Sequence, residues 1–380
     1  MPQIMTIYGT RPEAIKVAPV IKALEESEHF TSLPVVTGQH REMLDQVNEL
    51  FGIHPVEDLD VMTSRQTLNA IVAKVIRGVD QVLEKHAPDA VIVQGDTSTV
   101  MGAAIAAFNR RIPVVHLEAG LRSGDIDSPF PEEANRKLTT QITRLHLAPT
   151  AQSRSNLLKE GVPAADVVVT GNSVIDALLT VVKNREPFRD PELEEFMEDD
   201  SPLVLVTTHR RENLGQNMVD IGQAVRRLAE EHQEYRFVFP VHRNPLVREA
   251  LLPQVEGLDN ALILEPLGYA DFTRLIDRSR FVLTDSGGVQ EEAPSLGKPV
   301  LVLRENTERP EAVQAGTVRL IGTDPDRIHR EATRLIEDEQ HFASMANAVN
   351  PYGDGLAAAR TVAALEQMFG AGRRLPDFSA

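Results

Sequence analysis

The chain has 380 residues, 42% of them apolar and 25% charged, with a formal net charge of −17 and no cysteine. That length predicts two or three domains of about 150 residues each, and the acidity leaves no global basic face for nucleic acid. Disulfides, thiolate nucleophiles and cysteine-ligated zinc are excluded, and the eleven histidines show no HExxH or paired-His metal spacing.

The N-terminus, MPQIMTIYGTRPE, reads as a strand at once and lacks the basic and long apolar regions of a signal peptide. No run approaches the ~20 apolar residues that a membrane helix needs. The expectation is a cytoplasmic protein with no membrane or nucleic-acid partner. Short β-branched runs at 4–8, 33–37, 90–94, 113–117 and 145–148 predict strands, with helix-period segments between them at 14–25, 66–85 and 99–110. Residues 183–202 are acidic, contain three prolines and read as a surface connection. The alternation then restarts, with strands predicted at 203–207, 236–240, 261–264, 281–284, 300–303 and 318–321. After Asn350-Pro351-Tyr352-Gly353-Asp354-Gly355 a last helix is predicted over 357–369. Two runs of βα units imply an α/β chain with two doubly wound, Rossmann-like domains.

In open parallel sheets ligands bind beyond the carboxyl ends of the strands, so the residues after each strand carry the functional information. After the first strand come Gly9-Thr10-Arg11-Pro12-Glu13 and then Lys16, two cations near a helix start where backbone N–H groups also favour a diphosphate. Asp96 and Glu118 each come directly after a strand, and paired carboxylates in one site can donate and accept protons. Asp96 is also well placed to cap the next helix. Glu132 and Arg136, four apart, share a helix face, as a surface ion pair would. His209, with Arg210 and Arg211 after it, sets a titratable ring in an anion-attracting loop. Ser286-Gly287-Gly288 ends a strand and opens a helix, so small residues let backbone N–H groups approach phosphate oxygens. Glu292, one turn on, suits ribose hydroxyls. Arg309, before Pro310 at a helix start, is a further phosphate candidate. There is no GxxxxGK[ST] and no strand-bound GxGxxG, which disfavours a P-loop or a typical NAD site.

The segments 9–13, 94–97 (QGDT), 116–122 (HLEAGLR), 129–136 (PFPEEANR), 208–213 (THRREN) and 284–294 (TDSGGVQEEAP) together resemble the bacterial non-hydrolysing UDP-N-acetylglucosamine 2-epimerases, over nearly the whole chain. The resemblance implies the two-domain fold with a central cleft often called GT-B. Its domains would be 1–171 and 172–354, with 355–380 crossing back as a helix onto the first. It further implies a homodimer that interconverts UDP-GlcNAc and UDP-ManNAc with no metal or redox cofactor. Uracil would be held by Phe272 and the Leu267 backbone, and ribose by Glu292. A regulatory substrate site is implied at Gln39, Arg65, Arg210 and His242, although Glu42 stands where many regulated members carry Gln.

The implied route is loss of UDP from carbon 1, elimination to 2-acetamidoglucal, and re-addition with proton delivery to the other face of carbon 2. Arg11, Lys16, His209, Arg309 and the N–H groups of Ser286–Gly288 would stabilise the leaving diphosphate. Asp96, Glu118 and Glu132 would move protons, and spacing does not assign which serves which face. The competing readings are a GT-B glycosyltransferase using UDP-GlcNAc, a hydrolysing epimerase and a silent nucleotide-sugar sensor. The cluster of three carboxylates separates the epimerase from the transferase and the sensor, and the intact bacterial motif set argues against the hydrolysing enzyme.

Overall fold

The computed structural model describes residues 1–379 apart from 39–40, 62–65, 185–186 and 308, and without the side chains of 41–43. Gln39 and Arg65 therefore lie outside the described residues, as does the Glu42 side chain. The chain divides into two compact units, Met1–Ala177 with Tyr352–Ser379, and Leu178–Pro351.

The first unit holds β1 (Gln3–Tyr8), β2 (Thr31–Val36), β3 (Glu57–Asp58), β4 (Ala90–Gln94), β5 (Val114–Leu117), β6 (Leu145–Ala148) and β7 (Val167–Val169). They form one parallel sheet in the order β3-β2-β1-β4-β5-β6-β7. The second unit holds β8 (Leu203–Thr207), β9 (Arg236–Pro240), β10 (Ala261–Leu264), β11 (Ser279–Thr284), β12 (Val300–Val302) and β13 (Val318–Leu320). Its sheet is also parallel, in the order β10-β9-β8-β11-β12-β13. Central strands such as β4 (AVIVQ) and β8 (LVLVT) are buried along their whole length. Continuous apolar runs of this kind are what a sheet covered on both faces requires.

Two strands escaped the sequence reading. β3 is only two residues long and β7 only three, and both are edge strands, too short for a β pattern to stand out. Segment 183–202 is also more than a surface connection. It contains a helix, Pro191–Phe196, capped by Asp190, which accepts from the N–H groups of Glu192 and Leu193. Leu193, Phe188 and Met197 are buried, and the Arg274 guanidinium lies 4.2 Å from the Phe188 ring centroid. Three apolar side chains in a short acidic stretch carry little periodicity, yet each of them packs.

The C-terminal helix Ala357–Met368 is tied into the first unit by charge. Asp176 accepts from the N–H groups of Ala357 (3.2 Å) and Ala358 (2.9 Å). Arg360 grips Asp354 with both terminal nitrogens at 2.7 Å and donates to the carbonyls of Thr170 and Pro376. Among the described residues no helix is long and apolar enough to cross a membrane.

Candidate active site

Each sheet reverses its winding direction once, and at such a switch point adjacent loops part and leave a crevice. In the first unit the reversal lies between β1 and β4; in the second it lies between β8 and β11.

The β1 turn is built around Gly9 and Glu13. A Cβ on Gly9 would stand 2.1 Å from Thr37 Oγ1, so any larger residue would push the buried Thr37 side chain aside. Thr10 and Glu13 form a capping box at the start of the helix Arg11–Glu26, with Pro12 in its first turn. The buried Glu13 carboxylate accepts from Gly9 N–H (2.6 Å), Thr10 N–H (2.9 Å) and Thr97 Oγ1 (2.6 Å). It thereby joins the β1 turn to the β4 turn across the switch point. Burial pushes its carboxyl up, and those three hydrogen bonds oppose the shift.

Arg11 and Lys16 lie on the same helix, half-buried. Lys16 Nζ pairs with Glu118 Oε1, and Gln94 Nε2 donates to Glu118 Oε2. Glu118 has φ +66°, a left-handed conformation that a β-carbon disfavours. The chain holds this side chain, 10% exposed, in place against a local backbone preference. Asp96 does not cap the next helix; Thr97 does, accepting from Val100 N–H. Asp96 instead receives Arg136 through Nε (2.9 Å) and Nη2 (2.7 Å).

Arg136 does not pair with Glu132. It pairs with Asp96 and with Glu133, whose Oε2 lies 2.8 Å from Arg136 Nη1 and also accepts from Ser123 N–H. Glu133 is fully buried, which the helix spacing did not reveal. Glu132 opens the helix Glu132–Ile142 and is half-buried, and its side chain has no hydrogen bond or ion pair among the described residues. His116 was also missed as a site element. Its Nε2 lies 2.7 Å from the Gly95 carbonyl, and burial pushes its pKa down to about 4. A neutral ring donating from Nε2 thus braces the turn that carries Asp96.

In the second unit His209 and Arg210 come after β8, and Asp285, Ser286, Gly287 and Gly288 come after β11. Asp285 is fully buried and accepts from the N–H groups of His209 (3.0 Å) and Arg210 (2.9 Å) and from Asn213 Nδ2 (3.0 Å). His209 Nδ1 lies 3.3 Å from Asp285 Oδ1. Burial is the main cause that lowers the His209 pKa; Arg210 and His242 add to it and Asp285 opposes it. The His242 ring stacks on His209, with centroids 5.7 Å apart.

Arg210 donates from Nε to the Asp285 carbonyl (3.3 Å), and a Cβ on Gly287 would lie 3.3 Å from its Nη2. Arg210 and His242, which the resemblance assigns to a regulatory site, therefore sit directly beside His209 and the glycine turn. The Ser286 N–H already donates to Thr284 Oγ1 at 3.0 Å, which narrows the N–H set expected to face phosphate to Gly287 and Gly288. Arg309 is paired with the buried Glu291, and Glu292 is buried one position on. Leu267 and Phe272 flank the start of the helix Tyr269–Arg278, both half-buried. Among the described residues no group of three His, Asp or Glu side chains is arranged to hold a metal.

Two doubly wound α/β units thus carry carboxylate–cation pairs at one switch point and a histidine, arginines and a glycine turn at the other. The family model for UDP-N-acetylglucosamine 2-epimerase matches residues 22–366. The UDP-N-acetylglucosamine 2-epimerase of Salmonella typhimurium LT2 is 50% identical over 370 residues, 96% of this chain and 98% of that protein. That of Escherichia coli K12 is 48% identical over 369 residues, with the same coverage. The crystal structure of UDP-GlcNAc 2-epimerase from Neisseria meningitidis bound to UDP-GlcNAc superimposes with a TM-score of 0.83 at 45% identity, covering 96% of this chain and all of that one. The chain belongs to the UDP-N-acetylglucosamine 2-epimerase family.

Proposed function

We propose that the chain interconverts UDP-GlcNAc and UDP-ManNAc by the non-hydrolysing route, with no metal or redox cofactor. The observation that carries this reading is the set of carboxylates at the first switch point, where Glu118 meets Lys16 and Asp96 meets Arg136. Carbon 2 of the sugar bears a proton beside no carbonyl, so direct deprotonation faces a very high barrier. When the bond from carbon 1 to the diphosphate oxygen breaks, its electron pair leaves with UDP and carbon 1 becomes oxocarbenium-like. The carbon 2 proton is then acidic, and its removal by a carboxylate forms 2-acetamidoglucal. Reversal adds UDP back to carbon 1 and a proton to the opposite face of carbon 2.

Asp96, Glu118 and Glu132 supply the proton transfers. Arg11, Lys16, His209, Arg309 and the N–H groups of Gly287 and Gly288 stabilise the leaving diphosphate. Glu292 takes the ribose, and Phe272 with the Leu267 backbone takes uracil, so that the second unit holds UDP throughout. Family likeness further supports a cytoplasmic homodimer, and light scattering at twice the chain mass tests the dimer.

The decisive experiment is incubation with UDP-GlcNAc in deuterated water, with the products read by proton NMR. Deuterium at carbon 2 in a mixture of two UDP-sugars is the expected result. Free sugar, transfer only with an acceptor, or an unchanged substrate would each overturn the reading.

A further inference from the structure

Asp285 has no role in the assignments above, yet it is the fully buried carboxylate of the second switch point. It comes directly after β11, and its oxygens are surrounded by donors. Oδ2 accepts from Arg210 N–H at 2.9 Å and Asn213 Nδ2 at 3.0 Å. Oδ1 accepts from His209 N–H at 3.0 Å and lies 3.3 Å from His209 Nδ1. Asn213 is itself fixed by donating to the Leu303 carbonyl at 3.0 Å. The other charged or titratable groups facing the His209 ring are Arg210 and His242, the latter stacked on it. His242 uses its own Nδ1 to accept from Asn244 N–H at 3.1 Å, so it offers His209 a ring face and no in-plane partner.

An ionised carboxylate only accepts, so the imidazole nitrogen beside it is favoured to carry the proton. We infer that Asp285 is a positioning residue for the reaction: it holds His209 by backbone and ring with the proton on Nδ1, leaving Nε2 as the nitrogen that takes up a proton and presents it to the departing diphosphate. The inference rests on the reading of His209 as part of the reacting centre. A bracing role for Asp285 in the loop alone would need the backbone contacts but not the tautomer.

Asp285→Asn distinguishes the two. A carboxamide has one accepting oxygen, and Arg210 N–H and Asn213 Nδ2 both require it at the Oδ2 position. The amide nitrogen then falls where Oδ1 was, donates toward Nδ1 and moves the ring proton to Nε2. We expect kcat to drop about 100-fold with KM for UDP-GlcNAc within about threefold, because without the Asp285 charge the ring no longer forms readily the imidazolium that stabilises the departing diphosphate. In a His209→Gln background the same substitution should cost less than about twofold, because a residue acting through another has nothing left to position. Nitrogen-15 NMR of the histidines should show His209 as the Nδ1–H tautomer in the wild type and the Nε2–H tautomer in Asp285→Asn. An Nε2–H tautomer in the wild type, or an equal loss in both backgrounds, overturns the inference. The wild-type NMR result holds even if Asp285→Asn does not fold. Full activity in His209→Gln alone would instead refute the reading of His209 and leave the tautomer result standing.

Discussion

The two switch points share a topology and differ in where their carboxylates lie. In the first unit Asp96 and Glu118 are partly exposed and paired with cations, Arg136 and Lys16. In the second, Asp285 and Glu291 are buried, against His209 and Arg309 respectively, while the groups left toward solvent are His209, Arg210 and Arg309 beside a glycine turn. A shared fold thus presents carboxylate–cation pairs in one unit and a histidine and two arginines beside a glycine turn in the other. Asp96 and Asp285 come after corresponding strands and differ in burial, whereas Glu118 directly follows a strand and Glu291 lies within a helix.

The largest effect that would break the comparison is in the first unit. Asp96→Asn, Glu118→Gln and Glu132→Gln should each lower turnover by about 10²–10⁴-fold while leaving UDP affinity within a few-fold. Steady-state kinetics with calorimetric UDP titration checks this, and near-wild-type turnover in all three would end the acid/base assignment.

Next in size is the acid response of the β4 turn. His116 is neutral when buried, with its pKa pushed down to about 4 from 6.5. The folded state therefore binds fewer protons than the unfolded one between those values, so stability is lost as pH falls from about 6.5 through 4. The loss is on the order of 3 kcal/mol. His116→Gln keeps a donor for the Gly95 carbonyl and should flatten that slope. Denaturant unfolding of both proteins at pH 7 and pH 5 measures it, and equal slopes would refute the account.

In the second unit the signature should be binding. Arg309→Lys keeps the charge but loses the planar fork beside Glu291. We expect KM for UDP-GlcNAc to rise about tenfold with kcat within about threefold; a fall in kcat at constant KM would place Arg309 in the chemistry instead. The smallest effect expected is at Gly287, where an added Cβ would lie 3.3 Å from Arg210 Nη2. The guanidinium can give way, so Gly287→Ala should weaken UDP only about two- to fivefold, worth about 0.4–1 kcal/mol. A larger loss would mean that Arg210 has no room to move.

Most of the fold was legible because central strands of a parallel sheet are short, apolar and bounded by polar turns, as 90–94, 145–148 and 203–207 illustrate. The strand-end residues were legible for the same reason: a parallel sheet gathers the turns after its strands at one edge. Partner choice, by contrast, could not be read. Arg136 and Glu132 have ideal helix spacing, yet Arg136 turns to Glu133 and Asp96. Glu13 closes a capping box and also ties two strand ends through Thr97, a link no local pattern announces.

Composition, periodicity and strand-end chemistry, which are local properties of the chain, determined the α/β class and the charged set at the strand ends. Only the tertiary structure decided which carboxylates are buried and spoken for and which are held ready against a cation. Burial and pairing depend on atoms brought together from distant positions, as when Lys16 meets Glu118 or His209 meets Asp285.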